Sequence, residues 1–218
     1  MRTQRLEAFT DGVLAVAITL LALDLKAPAE ADLKHGLWHG IAIHWPTYAA
    51  YAVSFLIIDV MWISHNSVMS CIKRADRPLL FLNLLLLLFV VAVPPATSLV
   101  GDQLVLHGHN AHTALVVYSL LSVAHASAWS ALWWWAASHP RLLADDVDPV
   151  LARQAVWRFG LGLPIYALAV GLAFVNAYAA LGFQFVVAIS YMFEQLRVRR
   201  GGASGELAAE EGQLLGGQ

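Results

Sequence analysis

Charged residues are scarce in this sequence. Only 13% of its 218 residues are Asp, Glu, Lys or Arg, whereas soluble domains carry about 25%. Hydrophobic residues make up 59% of the chain. With 13 Lys and Arg against 15 Asp and Glu, there is no basic surplus of the kind that marks a nucleic-acid partner. The composition therefore predicts an integral membrane protein in contact with the lipid bilayer.

Cysteine is nearly absent as well, since Cys71 is the only one. A single thiol excludes an intrachain disulfide and any zinc site built from several cysteines. No nucleotide-binding motif or catalytic constellation stands out, so we expect neither an enzyme nor a bound cofactor. The sequence also shows no internal repeat, and any symmetry around a pore must therefore come from association of several chains.

Six apolar stretches are long enough to cross a membrane as helices, which takes about 20 residues. The apolar run 159–193 is too long for one crossing, and Asn176, followed by a tyrosine and a glycine, predicts a turn within it. Pro94-Pro95 predicts a break near the outer end of the third span. The predicted spans are approximately 6–25, 47–70, 79–100, 113–137, 159–176 and 179–196, within a transmembrane domain at 1–200 that is followed by a disordered cytoplasmic tail at 201–218.

Basic residues fall almost entirely on one side of this arrangement. Eleven of the thirteen Lys and Arg lie in the termini and in the second and fourth connections, and only Lys26 and Lys34 lie on the other side. The positive-inside rule therefore predicts a cell (inner) membrane protein with both termini in the cytoplasm. A cleaved signal peptide is the alternative for the first span, but Glu7 and Asp11 interrupt its transition from basic to apolar residues.

The first span, RLEAFTDGVLAVAITLLALDL at 5–25, has a face with alternating spacings of four and three residues. Such spacing is typical of a helix that packs around an axis with other helices. Asp11 points about 120° away from this stripe, and small residues continue its face, which predicts close packing against helices of the same subunit. The stripe contains Arg5, Phe9, Gly12, Val16, Thr19 and Leu23, with Leu20 at its edge.

Polar residues inside the spans allow two further interpretations. Asp11 could serve packing alone, by pairing with Arg5, Trp62 or His65, because an acid near the membrane interior needs a partner. Alternatively, Asp11 and His65, with Asn83 and a histidine of the fourth span, could form the relay of a proton-coupled transporter. Secondary transporters often show internal repeats or paired broken helices, and neither is visible here.

Histidines are concentrated in the two predicted outer connections. A metal site is one alternative and a pH-responsive vestibule is another. Ordinary surface histidines are the favoured interpretation, because no cysteine or acidic residue is suitably spaced among them. The outer histidines are His35, His39, His44, His107, His109 and His112, and His125 in the fourth span is expected to form a hydrogen bond within the subunit.

The first span resembles the first-helix signature of the transmembrane protein 175 family, the lysosomal potassium channels and their bacterial relatives. That signature has an arginine, then Phe-Ser-Asp-Gly, then an apolar helix with a threonine and a Leu-Asp-Leu-like end. Thr10 replaces the usual serine and keeps the hydroxyl. Further along, Asn83 and Pro94 fit the family pattern, whereas Pro95 departs from a more usual phenylalanine. The matching residues are Arg5, Phe9, Thr10, Asp11, Gly12, Thr19 and Leu23, together with Trp62 and His65 in WISHN.

The resemblance implies an all-α membrane protein with six transmembrane helices per subunit. Bacterial members of that family assemble as homotetramers with a central pore lined by helix 1. They lack a TVGYG filter, and no such string occurs in this sequence. The implied function is that of a potassium-permeable channel with K⁺ as the permeant ion and further copies of the chain as partners.

The resemblance also implies roles for individual residues. Val16 would form the narrowest inner ring of a hydrophobic constriction, with Leu20 and Leu23 further outward. Thr19 would supply a hydroxyl ring where K⁺ binds transiently, and no other metal is expected. The residues implied to form the structural network that holds helix 1 are Arg5, Phe9, Thr10, Asp11, Gly12, Trp62, His65 and Asn83.

Overall fold

The structure is a computed structural model that describes residues 3–25, 28, 36–106 and 110–193, and these residues form helices joined by short connections. The predicted all-α membrane fold is confirmed. The helices are α1 Thr3–Leu23, α2 Leu37–Ile43, α3 Trp45–Ser70, α4 Arg77–Val91, α5 Val93–Val105, α6 Asn110–Ser138, α7 Pro149–Gly160, α8 Gly162–Val175 and α9 Ala177–Phe193, with a 3₁₀ turn at Pro140–Leu142.

Six apolar helical segments are present in the described part of the chain. Five are long enough to cross a membrane, and the shorter α9 is the sixth. The division of the chain at residue 200 stays a prediction, and the predicted tail at 201–218 lies outside the described residues. The five long segments are Thr3–Leu23, Trp45–Ser70, Arg77–Val105, Asn110–Ser138 and Pro149–Val175.

The turn in the last apolar run lies at Asn176. Its backbone is extended, and its side-chain oxygen accepts a hydrogen bond from the backbone N–H of Ala179 at 3.0 Å, which caps the start of α9. Gly162 at the start of α8 faces Tyr191 near the end of α9, since a Cβ built on the glycine would lie 3.6 Å from the tyrosine hydroxyl. The two helices therefore run antiparallel.

Proline interrupts the third segment at its middle, not near its outer end as we expected. Helix α4 ends at Val91, and α5 begins at Val93 with Pro94 and Pro95 in its first turn. The first turn of a helix tolerates proline, because its N–H groups have no partner within the helix. The two prolines therefore start a new helix, which continues for 13 residues to Val105.

Small residues allow helices of the bundle to pack closely. In lipid, helices gain little from burying apolar surface, so small side chains that allow close approach are favoured between them. Gly101 of α5 lies so near α3 that a Cβ there would be 3.1 Å from Thr47 Cγ2. The buried alanines of the α6, α8 and α9 core are Ala111, Ala114, Ala126, Ala128, Ala136, Ala137, Ala169, Ala173, Ala177, Ala180 and Ala188.

One end of the bundle is closed by two loops that pair with each other, and we call this pairing the basic-end clip. Ile72 and Leu143 form an isolated antiparallel bridge, and the backbone N–H of Ala144 donates to the carbonyl oxygen of Cys71 at 2.9 Å. The loop after α3 is thereby joined to the loop after α6. Leu6 of α1 belongs to the apolar cluster beneath it, which places the start of α1 at this same end.

Side chains reinforce the basic-end clip. The Lys73 ammonium pairs with the Asp145 carboxylate. Asp76 accepts a hydrogen bond from the backbone N–H of Leu79 at 3.1 Å and so caps the start of α4. The same carboxylate accepts from the indole N–H of Trp135 at 3.2 Å, so the cap of one helix is held by a neighbouring one.

Candidate ion pathway on helix α1

Helix α1 is buried along one side only. Its buried residues recur every three or four positions, as expected for one face of a helix. This stripe packs against α3, α4 and α5. The opposite half of α1 is left uncovered by the described part of the same chain. The buried residues are Leu6, Thr10, Leu14, Ala17 and Leu21.

The side chains predicted to line a pore lie on the uncovered side. Val16 is 56% exposed and Leu23 is 78% exposed in the single subunit. Leu20 and Thr19 are exposed as well. This side of α1 is therefore available to another copy of the chain, to an aqueous path or to lipid.

The Thr19 hydroxyl has a defined orientation. It donates its hydrogen to the carbonyl oxygen of Val16 at 2.8 Å, one turn earlier in the same helix. Because a hydroxyl has one hydrogen and two acceptor lone pairs, the oxygen lone pairs remain available on the exposed side. Thr19 thus presents an acceptor, the kind of group that binds a cation.

The face that continues from Asp11 does not pack within the subunit as we expected. Ala15 and Ala22 are exposed, and Ile18 is only partly buried. The residues of α1 that are buried against α3, α4 and α5 form a different stripe, Leu6, Thr10, Leu14, Ala17 and Leu21. The small residues of this second face therefore also form part of the uncovered surface.

Three buried polar side chains tie α1 to its neighbours. The side-chain amide of Asn83 on α4 donates to the Thr10 hydroxyl at 3.0 Å. His65 Nε2 on α3 donates to the side-chain oxygen of the same asparagine at 2.9 Å. All three residues are fully buried. A buried polar group without a partner is costly. This series of hydrogen bonds therefore fixes the rotation of α1 against α3 and α4.

Asp11 makes a separate link to α3. Its carboxylate accepts a hydrogen bond from the indole N–H of Trp62 at 3.0 Å, and both side chains are exposed. Arg5, Phe9 and Gly12, which were predicted to share the network, lie on the exposed side of α1. A Cβ built on Gly12 meets no atom within 4 Å. Among the described residues, hydrogen bonds therefore join five members of the predicted network, three in a buried set and two in an exposed pair, and the structural roles of all eight stay predictions.

A second polar network was not predicted from the sequence. Ser54 of α3 lies 2.7 Å from the Tyr118 hydroxyl of α6 and 2.6 Å from the Thr97 hydroxyl of α5. Gln184 of α9 donates to the Ser119 hydroxyl of α6 at 3.1 Å. The available signal was the presence of these polar residues within apolar spans. These two groups of polar contacts join α3, α5 and α9 to α6 and include no residue of α1.

His125 differs in part from expectation. Its Nδ1 atom is buried and has no hydrogen-bond partner among the described residues. The imidazole instead stacks on Trp129, with ring centroids 6.5 Å apart and an interplanar angle of 15°. The expected hydrogen bond within the subunit is therefore missing at this nitrogen.

The outer histidines are only partly described. His112 donates its Nδ1–H to the carbonyl oxygen of Ala173 at 2.8 Å, which ties α6 to α8. In the ranges that the structure covers, no group of three His, Cys, Asp or Glu side chains could hold a metal ion. The residues His35, His107 and His109 lie outside the described ranges.

Comparison with known proteins identifies two bacterial relatives that align over most of their length and a longer vertebrate one. Proteins named potassium channels from Streptomyces collinus and Chamaesiphon minutus are 48% and 38% identical to this chain. The first alignment spans 89% of this chain and 93% of that protein, and the second spans 87% and 93%. The chicken endosomal/lysosomal proton channel TMEM175 is 33% identical over 145 residues, which are 63% of this chain and 29% of that protein.

A structural superposition and a match to a family profile point to the same kind of protein as these relatives. The crystal structure of a lysosomal potassium-selective channel TMEM175 homolog from Chamaesiphon minutus superimposes with a TM-score of 0.80 and 34% identity, covering 88% of this chain and 97% of that one. The profile of the family described as endosomal/lysosomal potassium channel TMEM175 matches residues 5–94, the part of the sequence that carries the resemblance. The chain belongs to the TMEM175 family.

Proposed function

We propose that the chain is one subunit of a potassium-permeable channel in which four copies place their α1 helices around a central pore. The observation that carries this proposal is the exposed side of α1, where Val16 and Leu23 project away from the subunit core. Relatives named potassium channels that align over most of this chain add support. No catalytic step and no resident cofactor is part of the proposal.

In this proposal, apolar rings on α1 form the constriction. Seven residues separate Val16 from Leu23, so their rings lie about 10 Å apart along the pore at 1.5 Å per residue. Leu20 lies between them, at the edge of the same face. A narrow apolar ring closes a pore by expelling water, and a small separation of the helices would rehydrate it.

Thr19 supplies the polar ring of the proposed pore. Its hydroxyl hydrogen is used by the Val16 carbonyl, so four copies would direct acceptor lone pairs toward a passing cation. Those oxygens would replace part of the hydration shell of K⁺. Na⁺ holds its water more strongly, and partial replacement therefore favours K⁺ by a modest factor.

The polar links of α1 would keep these rings in register. Thr10 and Asp11 lie two to three turns before Leu20 and contact α4 and α3. Because these bonds join α1 to its own subunit, the orientation of the exposed face is set before any second copy arrives. The motif of the first helix would thus act in alignment of the pore rather than in ion contact.

We also propose an orientation of the chain in the cell membrane. The basic loops after α3 and α6 meet in the clip at the end where α1 begins. The positive-inside rule assigns this end to the cytoplasm. Since α8 and α9 form a hairpin, the described chain returns to the same side and both termini are proposed to be cytoplasmic.

Recordings from purified protein in planar bilayers test the pore. We expect Val16→Ala and Leu23→Ala each to raise unitary conductance or basal leak several-fold, because each widens an apolar ring. Leu88→Ala is the matched control, since Leu88 is an exposed leucine of α4 outside this face. Currents that stay at the wild-type level in both α1 variants would remove this face from the ion path.

The rival function is a proton-coupled transporter that uses Asp11 and His65. In the structure Asp11 bonds to Trp62, and His65 bonds to Asn83, so no hydrogen bond links the two titratable side chains. The two functions are separated by flux into vesicles under a potassium gradient with the proton gradient abolished. A channel conducts under this condition, whereas strict dependence on a proton gradient would favour the transporter.

A further inference from the structure

Helix α7 lies at the basic end and leads directly into α8. Its backbone starts at a cap in which the Asp148 carboxylate accepts a hydrogen bond from the N–H of Val150 at 2.7 Å. The indole N–H of Trp133 on α6 donates to the carbonyl oxygen of Ala152 at 3.1 Å, which fixes one side of α7 against α6. The residues of α7 in the apolar cluster at this end are Ala152, Ala155, Val156 and Phe159.

The outward side of α7 combines apolar and basic residues. Val150, Trp157 and the following Leu161 are all exposed, and at about 100° per residue they fall on one stripe opposite the packed side. Arg153 and Arg158 flank that stripe on its two sides and are exposed as well. An aromatic side chain between two arginines is typical of a helix that lies at the membrane–water interface.

Length places this side of α7 in the headgroup layer. The apolar helical segment Pro149–Val175 has 27 residues, which corresponds to about 40 Å of helix, whereas the hydrocarbon core is about 30 Å thick. Some two turns must therefore lie outside the hydrocarbon. Because arginine is costly in hydrocarbon, we expect these turns to be the ones that begin at Pro149 and include Arg153.

Three acidic residues near α7 have other partners, and Asp146 is exposed in the loop before it. Asp145 pairs with Lys73, and Asp148 caps α7. Asp76 binds Trp135 and lies 3.9 Å from the Arg141 guanidinium. In the described ranges, no acidic side chain lies within salt-bridge distance of Arg153. Arg153 is therefore not neutralised by an acidic side chain of the described ranges.

We infer that α7 is a binding site for an anionic phospholipid in the leaflet at the basic end, with Arg153 on the lipid phosphate and Trp157 among the headgroups. The planar guanidinium matches the oxygens of a phosphate, and anionic lipids attract basic residues near the surface. The occupant is a lipid because the apolar stripe continues through Leu161 into α8, whose exposed side includes Leu168. This site is independent of ion conduction.

Native mass spectrometry of the delipidated full-length protein, titrated with phosphatidylglycerol or phosphatidylcholine, tests the site. We expect the wild type to bind phosphatidylglycerol several-fold more tightly than phosphatidylcholine. Arg153→Gln should weaken phosphatidylglycerol binding about fivefold at low ionic strength, and adding Trp157→Ala should weaken it further. Arg153→Lys should retain most of the preference, because it keeps the charge.

Trp38→Ala provides the matched control. Trp38 is 85% exposed and Trp157 is 83% exposed, but Trp38 belongs to α2 before α3, at the opposite end of the bundle. We expect this variant to bind as the wild type does, and millimolar inorganic phosphate not to compete. Equal affinity for both lipids, or an unchanged preference in the double variant, would overturn the proposal. The double variant could also lose the oligomer and still prefer phosphatidylglycerol. That result would assign the outward side of α7 to contact with a second copy of the chain, and it would overturn the lipid site as well.

Discussion

Two threonines of α1 lie on opposite sides of the helix and use their hydroxyls differently. Thr10 is fully buried and accepts a hydrogen bond from Asn83 of α4. Thr19 is exposed and returns its hydrogen to the Val16 carbonyl of its own helix. The Thr10 hydroxyl therefore joins two helices of the subunit. The Thr19 hydroxyl bonds only within its own helix and presents an acceptor outward.

The same contrast holds for the two sides of α1 as a whole. The buried side carries contacts that need exact partners, because an unpaired polar group in a low-dielectric interior is costly. The exposed side carries Val16, Thr19 and Leu23, whose side chains are largely uncovered in the subunit, so we expect changes in their size or polarity to affect subunit stability little. Stability and permeation should therefore respond to different substitutions, and the following variants test that separation from the largest expected effect to the smallest.

The substitution Asn83→Leu should have the largest effect, on stability. It removes the partner of the Thr10 hydroxyl and of His65 Nε2, and leaving buried groups unpaired costs about 1–3 kcal/mol each. We expect a loss of about 2–4 kcal/mol in the free energy of unfolding, measured by denaturant titration in detergent. Ser127→Leu on the exposed side of α6 is the control and should change stability by less than about 0.5 kcal/mol.

A triple variant sharpens this result. Replacing all three partners, with Thr10→Val and His65→Phe added to Asn83→Leu, leaves no polar group unpaired, and such replacement is often nearly neutral. We expect the triple variant to be more stable than Asn83→Leu alone. If the added substitutions lower stability further, the loss stems from packing and not from unpaired groups.

Trp62→Phe tests the boundary between the two sides. The substitution removes the indole N–H that Asp11 accepts, but the carboxylate is exposed and water can replace the lost donor. We expect a loss of about 0.5–1.5 kcal/mol in the free energy of unfolding, smaller than for Asn83→Leu. A loss as large as that of Asn83→Leu would show that solvent exposure of the Asp11–Trp62 pair does not lower the free-energy cost of losing its hydrogen bond.

The substitution Thr19→Val should leave stability within about 0.5 kcal/mol of the wild type. Among the described residues the hydroxyl makes no bond to another helix, so we expect its removal to affect only ion preference. We expect the K⁺/Na⁺ permeability ratio, measured from reversal potentials under bi-ionic conditions, to fall. Thr19→Ser keeps the hydroxyl and should keep the ratio. An unchanged ratio in Thr19→Val would separate this residue from selectivity.

The basic-end clip should give the smallest effect. The Lys73 ammonium holds the pKa of Asp145 below its ordinary value. A carboxylate with a lowered pKa stabilises the folded state above the ordinary pKa of about 3.9, and this contribution is lost as the pH falls through the lower folded value. Hydrogen exchange of the Ala144 amide should show protection decreasing with acid below this range. The Asp145→Asn variant should not show this acid-dependent loss of protection. If the protection of the Ala144 amide varies with pH identically in both proteins, Asp145 is not the cause.

Much of the fold follows from the sequence for simple physical reasons. The six apolar segments can be counted because a membrane requires about 20 apolar residues per crossing, and Asn176 marks the last reversal because its side chain can cap a helix. The predicted position of the proline break, near the outer end of the third span, was wrong. A proline pair either ends a helix or begins one, and the sequence does not distinguish these outcomes.

Only part of the candidate ion pathway on α1 could be predicted from the sequence. Periodicity identified the stripe of Val16, Thr19 and Leu23, because 3.6 residues per turn determines which side chains share a side. It could not divide the polar residues into the buried Thr10 chain and the exposed Asp11 pair, since that division depends on the rotation of α3 and α4. The role of the stripe as the pore stays a prediction.

Cys71 gives the molecule a built-in spectroscopic handle. It is the single thiol of the chain, it is partly exposed, and its carbonyl oxygen is bound within the basic-end clip. A fluorophore or spin label attached there needs no prior removal of competing cysteines. Its distance to a second label would report how far the α3 and α6 ends separate when the protein changes conformation.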